Sequence, residues 1–206
     1  MKKLLGLALI TAVLLSGCGE VQISINKDQE VEAETGSTKK EKVDLISDES
    51  ENEKMKEADK QKAILQFINE DIYKVAEYEV VAFQSLASVS GVNYTDDQTV
   101  YRELTTITIP AYEKALNEAQ GIEAGIPELE EMADRVVTAT QTFYDALILE
   151  KKAIEDQDEG LINESNTKME EYYKLVDAYH SDMELLAEEY NVTYDLNEPK
   201  QNVEEL

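Results

Sequence analysis

Cysteine occurs once in the 206 residues, as Cys18, and tryptophan does not occur at all. A single thiol excludes an intrachain disulfide framework and a multi-cysteine metal centre. Eight glycines and three prolines exclude collagen-like and glycine-rich low-complexity chains. Basic residues number 19 against 45 acidic ones, for a net charge of −26 with the one histidine, His180, neutral. Nucleic acid is therefore excluded as a partner bound by phosphate neutralisation, because counterion release would run backwards. The sequence contains no glycine-rich phosphate loop, Ser-His-Asp order, zincin motif or Cys-His pair. On that ground it reads as non-enzymatic.

What is present is helical periodicity. Few β-branched runs and 7% aromatics favour an all-α fold over a sandwich. Ser50 with Glu53 fits a capping box. From there Leu65, Ile68, Ile72, Val75, Ala82, Leu86 and Val89 recur at three- and four-residue steps as far as Gly91. A second start at Thr95 with Gln98 leads to Tyr101, Leu104, Thr108, Tyr112, Ala115 and Ala119. Pro110 sits inside this stripe, where it lacks a donor and crowds the Thr106 carbonyl, so a kink or break is expected there. Pro127 opens a third helix at the position where a missing donor costs nothing. Its seam is Leu129, Met132, Val136, Ala139, Phe143, Ala146 and Ala153. Residues 155–160 make a turn, and Ile162, Met169, Val176, Met183 and Tyr190 then repeat every seven residues, with Tyr172, Tyr179 and Leu186 between them. Short connections predict an antiparallel four-helix bundle over residues 50–191, with a polar tail at 192–206. The first helix, about 60 Å long, is expected to overhang the others as a stalk.

The N-terminus carries a different signal. Lys2 and Lys3 precede an apolar run from Leu4 to Leu15, too short to span a bilayer about 30 Å thick but suited to a signal-peptide core. The run ends in Leu15-Ser16-Gly17-Cys18, which resembles the lipobox of bacterial lipoproteins. That resemblance implies a signal peptide over residues 1–17, cleavage between Gly17 and Cys18, and a diacylglycerol on the Cys18 thiol. Acyl chains contribute about 0.8 kcal/mol per buried CH₂, so two chains hold a protein on a membrane where one does not. Removing residues 1–17 takes two lysines and no acid, which moves the charge from −26 to −28. Anionic lipid heads and wall polymers repel such a chain, so lipid rather than charge must hold it at the surface. Residues 18–49 mix charges without an aromatic residue or a sustained stripe, and read as a lipidated flexible tether.

Two residues interrupt the apolar seams. Glu79 falls between Val75 and Ala82, and Glu150 between Ala146 and Ala153. In an up-down-up-down bundle their helices run parallel, and similar distances from the helix ends predict a similar height. A divalent cation held between them is one reading, by analogy with ferritin-like bundles. The simpler reading turns both carboxyls to the seam edge while Tyr78 and Leu147 fill the core. His180, with Met183 rather than a carboxylate three residues on, reads as a surface or half-buried side chain. Tyr172, Tyr179 and Tyr190 at heptad spacing read as core.

Glu150-Lys151, the acidic turn, Asn163-Glu164 and Tyr173-Lys174-Leu175 carry a further resemblance over residues 127–176. There the chain resembles small helical lipoproteins of Gram-positive bacteria, including the cell-wall-binding lipoprotein family, which implies a place on the outer face of the membrane. Two functions follow as expectations. One is a membrane-anchored interaction module that contacts wall polymer or another envelope protein. The other is a small-ligand or cation carrier built on Glu79 and Glu150.

Overall fold

The computed structural model describes residues 47–194, with side chains from Glu57 onward. The expected signal peptide, the expected tether as far as residue 46 and the expected tail from residue 195 lie outside the described residues. Within them the fold is all-α, as expected, and no strand occurs. Six α-helices join into four rods. α1 (Ser47–Gln66) runs through a π turn (Phe67–Ile72) into α2 (Tyr73–Val89). α3 (Asp97–Glu103) runs through a second π turn (Leu104–Thr108) into α4 (Ile109–Gln120). α5 (Glu130–Asp156) and α6 (Glu159–Glu189) are uninterrupted.

Contacts between rods run in opposite directions along the chain. Ser85 meets Thr108 while Glu79 meets Tyr112, so the second rod descends as the first rises. Tyr101 bonds Glu155 while the Tyr112 ring packs on Phe143, and Arg135 pairs with Asp182 while Ser165 bonds the Ala146 carbonyl. Tyr172 reaches back to Glu79, and the Tyr190 carbonyl accepts from Gln61, which closes the fourth rod on the first. This is the up-down-up-down order of a helical bundle.

The helix through Pro110 is not broken. The Ile109 amide donates to the Leu104 carbonyl five residues back, so the chain is already in a wider π register when it reaches the proline. Wider spacing relieves the clash that an α-turn would force between the pyrrolidine ring and the carbonyl four residues earlier. Thr105 and Thr106 hydroxyls bond the Tyr101 and Arg102 carbonyls at 2.8 and 2.7 Å, the back-bonding to the preceding turn that threonine makes inside a helix. The first π turn has a visible effect on burial. Its extra residue rotates the seam, so Ile64 and Phe67 are fully enclosed while Leu65, expected in the core, is half-buried.

Caps and turns differ by small steps from expectation. Asp96, not Thr95, caps α3, its carboxylate accepting from the Thr99 amide at 2.9 Å. The α5–α6 turn contracts to Gln157, in the left-handed region, and Asp158, which caps α6 through the Gly160 amide. Gly160 therefore belongs to the helix rather than the turn. At the other end, α1 extends past the level of Tyr190, so Ser47–Asp59 overhangs the fourth rod, as a stalk should. Where it meets the bundle, the Lys60 ammonium lies on the Glu128 carboxylate, and the Tyr190 hydroxyl bonds both.

Candidate functional site

The centre of the bundle is an aromatic cluster built from all four rods. Phe83, Tyr112, Phe143 and Tyr172 pack with ring centroids 4.8–6.3 Å apart, mostly tilted or edge-on. Heptad spacing in α6 puts Tyr172 and Tyr179 inside with no exposed surface. Tyr190 is only half-buried.

Glu79 lies inside this cluster with no exposed surface. Its Oε1 accepts from the Tyr112 hydroxyl at 2.8 Å and from the Tyr172 hydroxyl at 3.3 Å. Burial, then the neighbouring Glu79, push both phenols well above their ordinary range, so they remain protonated donors. The expected seam-edge placement is overturned at this residue. Tyr78 stays half-buried instead, because the glutamate finds two hydroxyls inside and has no need of solvent.

Glu150 is also inside, 5% exposed, together with Leu147. It differs in having an Oε2 with no hydrogen-bond partner. Burial alone raises its carboxyl from 4.5 to about 7.

The two glutamates are not level. Tyr112 reaches Glu79 with its hydroxyl and Phe143 with its ring, so Glu79 stands opposite Phe143. Glu150 lies seven residues further along α5, about 10 Å at the α-helical rise. The first rod continues from Glu79 to Val89, whereas α5 ends at Asp156, so parallel helices with unequal ends offset the pair. Among the described residues no group of three or more His, Cys, Asp or Glu side chains converges as a metal site.

His180 is 6% exposed rather than superficial, and its Nδ1 shares a hydrogen bond of 2.7 Å with the Tyr194 hydroxyl. The beginning of the polar tail thus folds back on α6, aided by the Val192 amide on the Ala187 carbonyl. Tyr194 lies five residues past the last helical position, outside the periodicity that marks the seam. No sequence pattern pointed to it.

Outward faces are acidic and carry few large apolar side chains. Those exposed include Val92 at the tip of the first loop, Tyr73 and Val81 on the first rod, and Leu185 on α6. Among the described residues no helix is long and apolar enough to cross a membrane. Cys18 and Gly17 fall outside the described residues. Compared with protein-family models, with curated proteins and with solved structures, the chain matches none.

Proposed function

We propose that the chain is a lipid-anchored lipoprotein on the outer face of a Gram-positive cell membrane, whose bundle is a non-enzymatic interaction module. One observation carries the reading: the only cysteine follows Leu15-Ser16-Gly17 at the end of a signal-like apolar run. A diacylglycerol on Cys18, with cleavage after Gly17, supplies the anchor that a chain of this charge lacks. The membrane is reached through that anchor, and the stalk of α1 continues the tether toward the bundle.

The core supports a binding surface on the outside rather than a site within. Large side chains from four rods fill the centre, and the central carboxyl is taken up by two tyrosines. The partner is a wall polymer or a second envelope protein. Contact with an anionic polymer needs a divalent cation between the two negative surfaces, which makes the partner class testable. The mature chain, carrying serine in place of Cys18, is incubated with purified cell wall with and without millimolar calcium. Calcium-dependent pelleting supports a wall partner. Pelleting in neither condition removes wall polymer, and cross-linking in intact cells then tests for an envelope protein. No cross-linked protein either would defeat the module reading.

A further inference from the structure

The root of the stalk is gripped by residues from the opposite end of the chain. Glu57, Ala58 and Asp59 are exposed, and Lys60 and Gln61 are half-buried. From Ala63 onward α1 is held by packing. The loop before α5 brings Gly125 so near that a Cβ there would stand 3.4 Å from the Ala63 Cβ, and Ile64 and Phe67 are enclosed. Between the exposed stalk and the packed helix the grip is polar and centres on Tyr190. The Gln61 side-chain amide donates to the Tyr190 carbonyl at 2.8 Å, the Lys60 ammonium to the Tyr190 hydroxyl at 3.2 Å, and that hydroxyl to Glu128 Oε1 at 3.1 Å. The Lys60 ammonium also pairs with Glu128 and lies 5.2 Å from the Tyr190 ring centre.

Tyr190 caps the C-terminal end of α6, a position that frays unless something ties it down. The residues that follow do so. Asn191 takes the left-handed conformation, φ 52°, and the Val192 amide returns to the Ala187 carbonyl at 2.8 Å, which closes the last turn. The chain then runs back along α6 and packs Val192 and Tyr194 against the core. Its far end is pinned where the Tyr194 hydroxyl shares a 2.7 Å hydrogen bond with His180 Nδ1. His180 precedes Tyr190 by ten residues, about 15 Å along the helix, so the pin is remote from the stalk.

We propose that residues 191–194 form a strap that locks the stalk. Pinned to His180, they keep the last turn of α6 closed, and the closed turn keeps Tyr190 on Lys60, Gln61 and Glu128. With the strap lifted, α6 frays through Tyr190 and α1 loses its grip as far as Gln61. The half-exposed Lys60–Glu128 pair is too weak to fix a helix without the tyrosine between them. Release uncovers half-buried groups, Val192, Tyr194 and Tyr190, and no enclosed side chain of α1, since the core side of that helix begins at Ile64. Freed, residues 47–61 make an isolated helix of marginal length. On the reading of Cys18 as the anchor, on which this consequence rests, the locked stalk sets how the body stands above the membrane, and the C-terminal strap controls it.

Pulsed electron paramagnetic resonance on the mature chain tests the lock, because Cys18→Ser leaves no cysteine except those introduced for labelling. Spin labels on Asn52→Cys and Glu170→Cys report the stalk against the body, and labels on Glu113→Cys and Glu170→Cys report the body alone. The first pair should give one narrow distance peak. Tyr194→Ala, which does not touch α1, should broaden that peak while the second pair keeps its width, and Tyr190→Ala should do the same. A broad stalk distribution with the strap intact overturns the lock, as does a narrow peak that survives either substitution. Broadening of both pairs together also overturns it, since the whole bundle then loosens. Should an alanine variant not fold, the phenylalanine variant at the same position is read in the same way. No membrane takes part, so loss of the lock leaves the anchor reading standing, and an unlipidated Cys18 leaves the lock standing.

Discussion

Replacing Glu150 by glutamine has an effect on global stability whose size and sign follow from the buried carboxyl. In the unfolded chain this group titrates at its ordinary 4.5, and in the bundle at about 7. A raised carboxyl pKa means that the folded state binds the proton more tightly. Between these two values the unfolded chain therefore holds fewer protons, and stability falls as pH rises. No penalty is present below the unfolded value, and the full penalty is present above the folded one. At 1.36 kcal/mol per unit, the interval corresponds to about 3 kcal/mol. Glutamine keeps the shape and removes the titration. Urea unfolding of both proteins at pH 4.5, 6 and 8.5, with the difference taken at each pH, isolates this group from every other carboxyl in the chain. The variant should gain on the wild type by about 3 kcal/mol from the lowest pH to the highest, with unchanged m-values. A difference that stays flat with pH would refute the reasoning, since a carboxyl that titrates normally cannot be enclosed without partners.

Further outcomes follow from other parts of the core. Tyr112→Phe removes the shorter of two hydroxyl bonds to the buried Glu79 and should cost about 1–3 kcal/mol in urea unfolding; no loss would mean that the hydroxyl does not serve the carboxyl. Pro110→Ala should change stability by less than about 1 kcal/mol, although proline inside an α-helix ordinarily costs about 3 kcal/mol. The π register already removes the clash, and a gain near the full amount would show that it does not.

Much of the fold was legible because amphipathic seams report directly on which face is buried. Most of the named seam residues of α4, α5 and α6 are buried, with Val136, Phe143, Val176 and Met183 fully enclosed, whereas Ile162, Leu186 and Tyr190 of α6 are half-buried. Errors collect where a local register changes. A π turn inserts one residue without leaving any trace in composition, so the inward face before Phe67 is assigned to Leu65 instead of Ile64. The same change in register lets the second rod pass Pro110 unbroken. The two interrupting glutamates were visible as anomalies, but their surroundings were not. What satisfies Glu79 comes from Tyr112 and Tyr172 on other rods, and pairings across helices are not encoded in the spacing along one of them. Their relative height depended on where each helix ends, the least certain feature of any sequence reading.

Lipid attachment at Cys18 is the central claim, and cell fractionation with mass analysis of the mature N-terminus tests it most directly. Wild-type protein should sediment with membranes and begin at a diacylglyceryl-modified Cys18, whereas Cys18→Ser should leave the membrane fraction. A Cys18→Ser protein that remains membrane-bound to the wild-type extent, or a mature N-terminus at any other residue, would contradict the account.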